Sequence, residues 1–157
     1  MGGIEQFSDP TMVMFGKLLL AAFLGAVVGT ERGVIARQAA GTRTFGLVSL
    51  GACLLILTSS YVGISYLGYT QFDPMRIAAA IVQGIGFIGA GIMIFRGTTV
   101  HGITTAAGLW VAAALGIAVG FGMYAIAIFA TAITLIVLVC MWYIEQHFKK
   151  EFSEVSE

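Results

Sequence analysis

Long apolar runs alternate along the chain with short polar stretches, and the length of the runs decides what they are. Apolar segments extend over Thr11–Gly29, Thr44–Leu67, Met75–Phe95, Thr104–Gly120 and Met123–Ile144. Each falls near the ~20 residues that an α-helix needs to cross the hydrocarbon core of a bilayer at ~1.5 Å rise per residue. A spanning strand would need only about ten residues and would alternate in polarity. The pattern predicts an all-α, polytopic transmembrane bundle of five helices over residues 11–146, after an external segment (1–10) and before a cytoplasmic tail (147–157). Local punctuation agrees. Asp9-Pro10 and Asp73-Pro74 each set a capping carboxylate before a proline at the first helical position, and Thr44 and Thr104 are placed to cap the second and fourth helices.

Orientation follows from where Lys and Arg fall. With five crossings, Arg32, Arg37, Arg43, Arg96, Lys149 and Lys150 share one side, while Lys17, which can snorkel outward, and Arg76 have the other. The N-terminus is expected outside and the C-terminus in the cytoplasm. Tyr61, Tyr66 and Tyr69 mark the outer boundary and Trp142 and Tyr143 the inner one, as interface anchors. The leader MGGIEQFSDP has two acids and no base, so it does not read as a cleaved signal, and it lacks the Ser or Thr of a myristoylation site.

Composition sharpens the membrane reading: 59% of residues are hydrophobic and 10% charged, where a soluble domain carries roughly 25% charge. Net charge is zero, so no nucleic-acid partner is implied. One stretch invites a different reading. QGIGFIGAG (residues 83–91) spells the G-x-G-x-x-G of a dinucleotide-binding turn. That turn needs a strand before it, a helix after it and an acid about 20 residues on. No Asp or Glu occurs between Asp73 and Glu145, and the motif sits in the middle of an apolar run. Gly84, Gly86, Gly89 and Gly91 are expected instead to let neighbouring helices approach.

The same reasoning covers two G-x-x-x-G pairs, Gly25/Gly29 in the first helix and Gly116/Gly120 in the fourth, which can pack within the chain or at a dimer seam. The Gly- and Ala-rich third and fourth helices should be interior. The fifth has no glycine from Tyr124 to Ile144 and should turn the stripe Ala127, Thr131, Thr134 inward and its bulky face to lipid. Cys53 and Cys140 lie among Leu and Ile as packing residues, so neither a disulfide nor a metal site is expected. Gln83, the only amide within the third helix, needs a partner in lipid, as interhelical glue or as a substrate ligand.

Several polar residues flank the membrane. Glu31-Arg32 ends the first helix, and Glu31 can pair with Arg43 or Arg96 or simply belong to an ordinary boundary. Asp73 is a helix cap or a local partner of Arg76. The second and fourth helices start at the arginine-rich face, with Arg43 at one start and Arg96 and His101 before the other. Free N–H groups and the helix dipole could there hold phosphate, a nucleotide tail or a lipid headgroup, unless the arginines only obey the positive-inside rule.

KLLLAAFLGAVVGTERG, GTRTFGLVSLGA, DPMRIAAAIVQGIGFIGAGIM and RGTTVHGITTAAGLWVAAALG resemble, in order, the signature blocks of the MgtC/SapB membrane protein family. The resemblance covers about residues 17–135. It implies an inner-membrane protein of bacteria or archaea linked to adaptation to low magnesium, acid or life inside a host. It implies polar family positions at Glu31, Arg43, Thr44, Asp73, Arg76, Thr104 and Thr105. TERG keeps Glu31-Arg32 but shortens the family's acid–basic–acid run, and the chain is expected to be a short form without the soluble C-terminal domain of longer members.

No acid lies within the five predicted helices, and Asp73 and Glu31 are at opposite faces, whereas magnesium favours several carboxylate oxygens. No nucleophile–base pair is visible, and no cofactor is implied. The expectation is a non-enzymatic membrane protein of regulatory or binding type, in contact with lipid, self-associating or meeting another inner-membrane protein. The alternative is a transporter or channel for a small ion, with backbone carbonyls in place of carboxylates.

Overall fold

The computed structural model describes residues 10–65, 73–96 and 98–154. Asp9, Tyr66 and Tyr69 lie outside the described residues, as do the side chains of Arg96, Lys149 and Lys150. Five helices are long and apolar enough to cross a membrane: α1 (Pro10–Thr30), α2 (Thr42–Ser65), α3 (Pro74–Ile92), α4 (Ile103–Gly120) and α5 (Tyr124–Glu154). Antiparallel succession brings the α1–α2 and α3–α4 connections to one end, called here the arginine face.

Boundaries differ from the sequence pattern where polar signals misplace them. Helix α2 starts at Thr42, so Thr44 lies in its first turn, not at its cap. Helix α4 starts after Gly102, whose φ of 93° is a left-handed value that favours glycine; Thr104 is again inside the helix. Asp73 does cap α3, its carboxylate accepting from the Met75 N–H at 2.9 Å. The apolar run Met75–Phe95 is not one helix. It stops at Ile92, and Ile94–Arg96 (β1) pairs antiparallel with Thr99–His101 (β2), Ile94 facing His101 and Phe95 facing Val100. At the other end, α5 runs on through the expected tail to Glu154.

Helix α2 is the hub. On one side Gly25 and Gly29 of α1 admit its Phe45 turn: a Cβ added at Gly25 would stand 2.6 Å from the Phe45 carbonyl oxygen, and one at Gly29 2.7 Å from the Phe45 Cβ. On the other side Gly116 faces the Ser49 carbonyl and Ala52, and a Cβ at Gly120 would stand 2.8 Å from the Ile56 Cβ. Both G-x-x-x-G pairs are thus used inside one copy of the chain, against opposite sides of α2. Phe45, Cys53, Leu109, Ala112, Val28, Val119 and Ala127 fill the core around this contact. Ser49 sits fully buried between the two glycine helices, its hydroxyl without a hydrogen-bond partner among the described residues.

The two glycine-rich helices part company here. Half of the α4 span is buried, against 17% of that of α3. Helix α3 buries a single stripe, Ala78, Ile85 and Gly89, of which Ile85 packs with Ala113 of α4 and Ala52 of α2. A Cβ at Gly89 would make ordinary contact with Ala106, but at Gly84, Gly86 and Gly91 it would meet nothing within 4 Å. Those three glycines point away from the stripe and are not packed against any described residue, and Gln83 is likewise exposed. Helix α5 follows expectation, with Ala127 and Thr131 buried and Thr134 half-buried. Thr131 and Thr134 turn their hydroxyls back to the carbonyls of Ala127 and Ala130 at 2.8 and 2.7 Å. Cys53 and Cys140 are both free thiols.

The end opposite the arginines is closed by helix-terminus chemistry. Gly122, at φ 80°, turns α4 into α5. Its N–H reaches the Val119 carbonyl, and that of Met123 the Ala118 carbonyl, both at 2.9 Å, the two bonds of a Schellman cap. Lys17 adds a third donor, its Nζ lying 3.0 Å from the Gly120 carbonyl, where the dipole of α4 ends negative. Lys17 thus anchors α1 to the C-terminal end of α4. Lys17→Met should lower the thermal stability of the protein in detergent by about 1–2 kcal/mol, the range for a partly buried cation at a helix C-terminus. Unchanged melting would show the bond to be dispensable.

Candidate functional site at the arginine face

Helix α1 does not end at its last α turn. Glu31–Ile35 continue it as a π-helical turn, a widened form that recurs at functional sites. The N–H of Ala36 returns to the Glu31 carbonyl at 3.0 Å and that of Gln38 to the Arg32 carbonyl at 2.8 Å, which closes the turn. Arg37, at φ 52°, reverses the chain toward Gly41. Thr30 Oγ1 lies 3.2 Å from Thr42 Oγ1, tying the end of α1 to the start of α2.

The turn buries an ion pair. Arg32 Nε donates to Glu31 Oε2 at 2.7 Å and Arg32 Nη2 to Glu31 Oε1 at 3.1 Å. Glu31 is 3% exposed and Arg32 6%, so each charge is removed from water and has the other in side-on, bidentate contact. Among the described side chains Glu31 pairs with the adjacent residue and not with Arg43. Neighbours on a helix do not normally face each other; here two long side chains close the gap.

Beside the pair lies a cavity of about 440 Å³ lined by Arg32, Gln38, Thr104, Trp142, Glu145 and Gln146, among others. It joins the π turn, the first turn of α4 and the C-terminal half of α5. Trp142 is held edge-on by Tyr143, ring centres 5.2 Å apart. The lining offers a cation, an anion, amides, a hydroxyl and an aromatic face, which suits a small polar molecule or a polypeptide segment. A second opening, about 950 Å³, is a mostly apolar groove between α2 and α3 with Arg43 and Thr44 in its wall.

The residues singled out from sequence are therefore distributed. Glu31 and Thr104 belong with the polar cavity, Thr104 lining it and Glu31 holding Arg32. Arg43 and Thr44 line the groove instead, so the starts of α2 and α4 do not converge on one cavity. Thr105 is buried one residue after Thr104. Asp73 and Arg76 are at the far end of α3, joined by a backbone bond of 3.2 Å from the Arg76 N–H to the Asp73 carbonyl but not by a side-chain ion pair. Arg32, Gln38, Trp142, Glu145 and Gln146 were not singled out as site residues. Glu145 carried a signal, being the first acid after Asp73. Among the described residues no three His, Cys, Asp or Glu side chains are grouped as a metal site would require.

The profile of the MgtC family matches residues 18–147, from the inner part of α1 through α5. The chain belongs to the MgtC family. It is 41% identical over 124 residues to the putative magnesium transporter YhiD of Escherichia coli K12, covering 78% of this chain and 57% of that protein. It is 43% identical over 130 residues to protein MgtC of Salmonella typhimurium LT2, covering 81% of this chain and 53% of that one. An uncharacterised protein of Haemophilus influenzae is 36% identical over 134 residues, covering 83% and 56%. This MgtC-family chain thus spans a little over half the length of these relatives. No solved structure matches it. The matched region contains both the polar cavity and the groove.

Proposed function

We propose that the chain is a regulatory or binding protein, not an enzyme, of the cytoplasmic (inner) membrane of a bacterium or archaeon, and that it serves adaptation to low magnesium, acid or host stress. The observation that carries this reading is a contrast between span and face. The span is closed by glycine contacts on both sides of α2 and by an apolar core. The polar groups that a ligand would use gather instead around the buried Glu31–Arg32 pair at one end. The positive-inside rule turns that end to the cytoplasm. The cavity suits a polar segment of another inner-membrane protein, and lipids and a second copy are further contacts.

The name of the Escherichia coli relative supports the link to magnesium and favours ion transport as the second reading. Two measurements separate the readings. The purified chain in liposomes loaded with a magnesium-sensitive dye should admit no more magnesium than protein-free vesicles. Glu145→Lys and Trp142→Ala should abolish growth support in low-magnesium medium while the amount of protein in the membrane stays the same. Saturable magnesium entry through the purified protein would establish transport instead. Full growth support by both variants would remove the cavity from the function.

A further inference from the structure

The groove between α2 and α3 is separate from the polar cavity and has its own chemistry. Its wall is built from Arg43, Leu47, Gly51 and Leu55 on α2 and from Ile77, Ile81, Gly84 and Ile88 on α3. The helices run antiparallel, so Arg43 lies at the arginine face beside the end of α3, and the apolar wall extends from there into the span.

We propose that this groove binds one anionic phospholipid, its phosphate at Arg43 and one acyl chain lying along Gly51 and Gly84. Four observations converge on that occupant. The first is length. Arg43 to Leu55 is twelve residues of helix, or about 18 Å at ~1.5 Å per residue. Half of a ~30 Å hydrocarbon core is ~15 Å, so the groove accommodates the chain of a lipid from one leaflet, starting at the interface. The second is width. A Cβ at Gly51 or at Gly84 would meet nothing within 4 Å, so the two glycines leave room along the groove that no described side chain fills.

The third is rigidity. Helix α3 is seated against both neighbours, Ile85 clustering with Ala113 of α4 and Ala52 of α2, and its end is joined to α4 by the β1–β2 hairpin. Ile85 and Ala52 thus meet in the floor of the groove and fix the spacing of α3 and α2 above it. The fourth is charge. Arg43 is exposed and has no ion-pair partner among the described residues, and it stands in the first turn of α2 with the Thr44 hydroxyl beside it. Cationic side chain, free N–H groups and positive helix end all favour a phosphate there, while the remaining wall is hydrocarbon. A free anion would use the first part of that site and leave the apolar length unexplained.

The test uses the full chain purified in a neutral detergent. Palmitoyl-oleoyl phosphatidylglycerol or phosphatidylcholine is added, and bound lipid is counted by native mass spectrometry alongside the melting temperature. Wild type should retain phosphatidylglycerol about five-fold better than phosphatidylcholine, the preference that one arginine near the surface supplies. Arg43→Gln should remove the preference and leave phosphatidylcholine binding as it was. Gly84→Leu should lose both lipids while keeping its helical signal and its melting temperature in lipid-free detergent, because its side chain enters open space. Gly51→Leu repeats the test from the other wall. An unchanged preference in Arg43→Gln would overturn the proposal, as would undiminished lipid binding in both glycine variants. Stabilisation by inorganic phosphate equal to that by phosphatidylglycerol would overturn it too. So would a dimer that both glycine variants abolish without altering lipid binding, since the groove would then hold a second copy.

Discussion

Glu31→Gln and Arg32→Gln should each destabilise the folded protein by about 3–5 kcal/mol, the cost of leaving one member of a buried ion pair without its counter-charge. The geometry makes both variants severe. Each side chain is at most 8% exposed, and the pair satisfies itself through two parallel hydrogen bonds. Neither survivor has a second ion-pair partner among the described residues. Replacing both residues by apolar ones of similar volume should cost far less, because the desolvated charges disappear together. Equilibrium unfolding in mixed micelles measures all three. Single variants as stable as wild type would mean that water reaches the pair. A double variant as unstable as either single would mean that the pair also fixes the π turn.

Gly116→Ala should be the second large effect, about 1–3 kcal/mol or more, because its methyl would be driven into the Ser49 carbonyl and Ala52. Both neighbours belong to α2, one of them backbone and the other a short methyl, so nothing soft can give way. Gly86→Ala is the matched control. Its methyl enters open space, so stability should hold or rise by up to ~1 kcal/mol, the gain of alanine over glycine within a helix. Thermal unfolding of the two variants side by side checks this. If Gly86→Ala falls as far as Gly116→Ala, α3 has a close neighbour outside the single chain.

That pair of glycines also marks how far the sequence could be read. Length and hydropathy announce the five helices, since lipid leaves few other structures available to such runs. The close-packing potential of glycine is visible too, but not its direction. Gly116 and Gly86 look alike in sequence, and only the placement of α2 and α4 shows that one is enclosed and the other open. The hairpin was hidden because IMIF continues the apolar run of α3, and strands of three residues are too short to show a period of two. The π turn had no residue signature. TERG displayed the two charges of the buried pair, yet adjacent positions on a helix are the last that a surface-pairing rule would join. Glu145 and Gln146 reach the cavity because α5 continues beyond the hydrophobic segment.

The position of α2 between two glycine helices sets an order of events at the ribosome. Its first partner, Gly25 and Gly29, is already made when Phe45 emerges. Its second, Gly116, follows Ser49 by 67 residues, which at ~5–20 residues per second is roughly 3–13 s later. Throughout that interval the flank of Ser49 and Ile56 must stay clear for Gly116 and Gly120, although α3 precedes α4 in the chain. A third helix that bound α2 tightly would occupy the berth of the fourth. The loose seating of α3 is therefore a timetable as much as an architecture: the helix made earlier keeps a place vacant for the one made later.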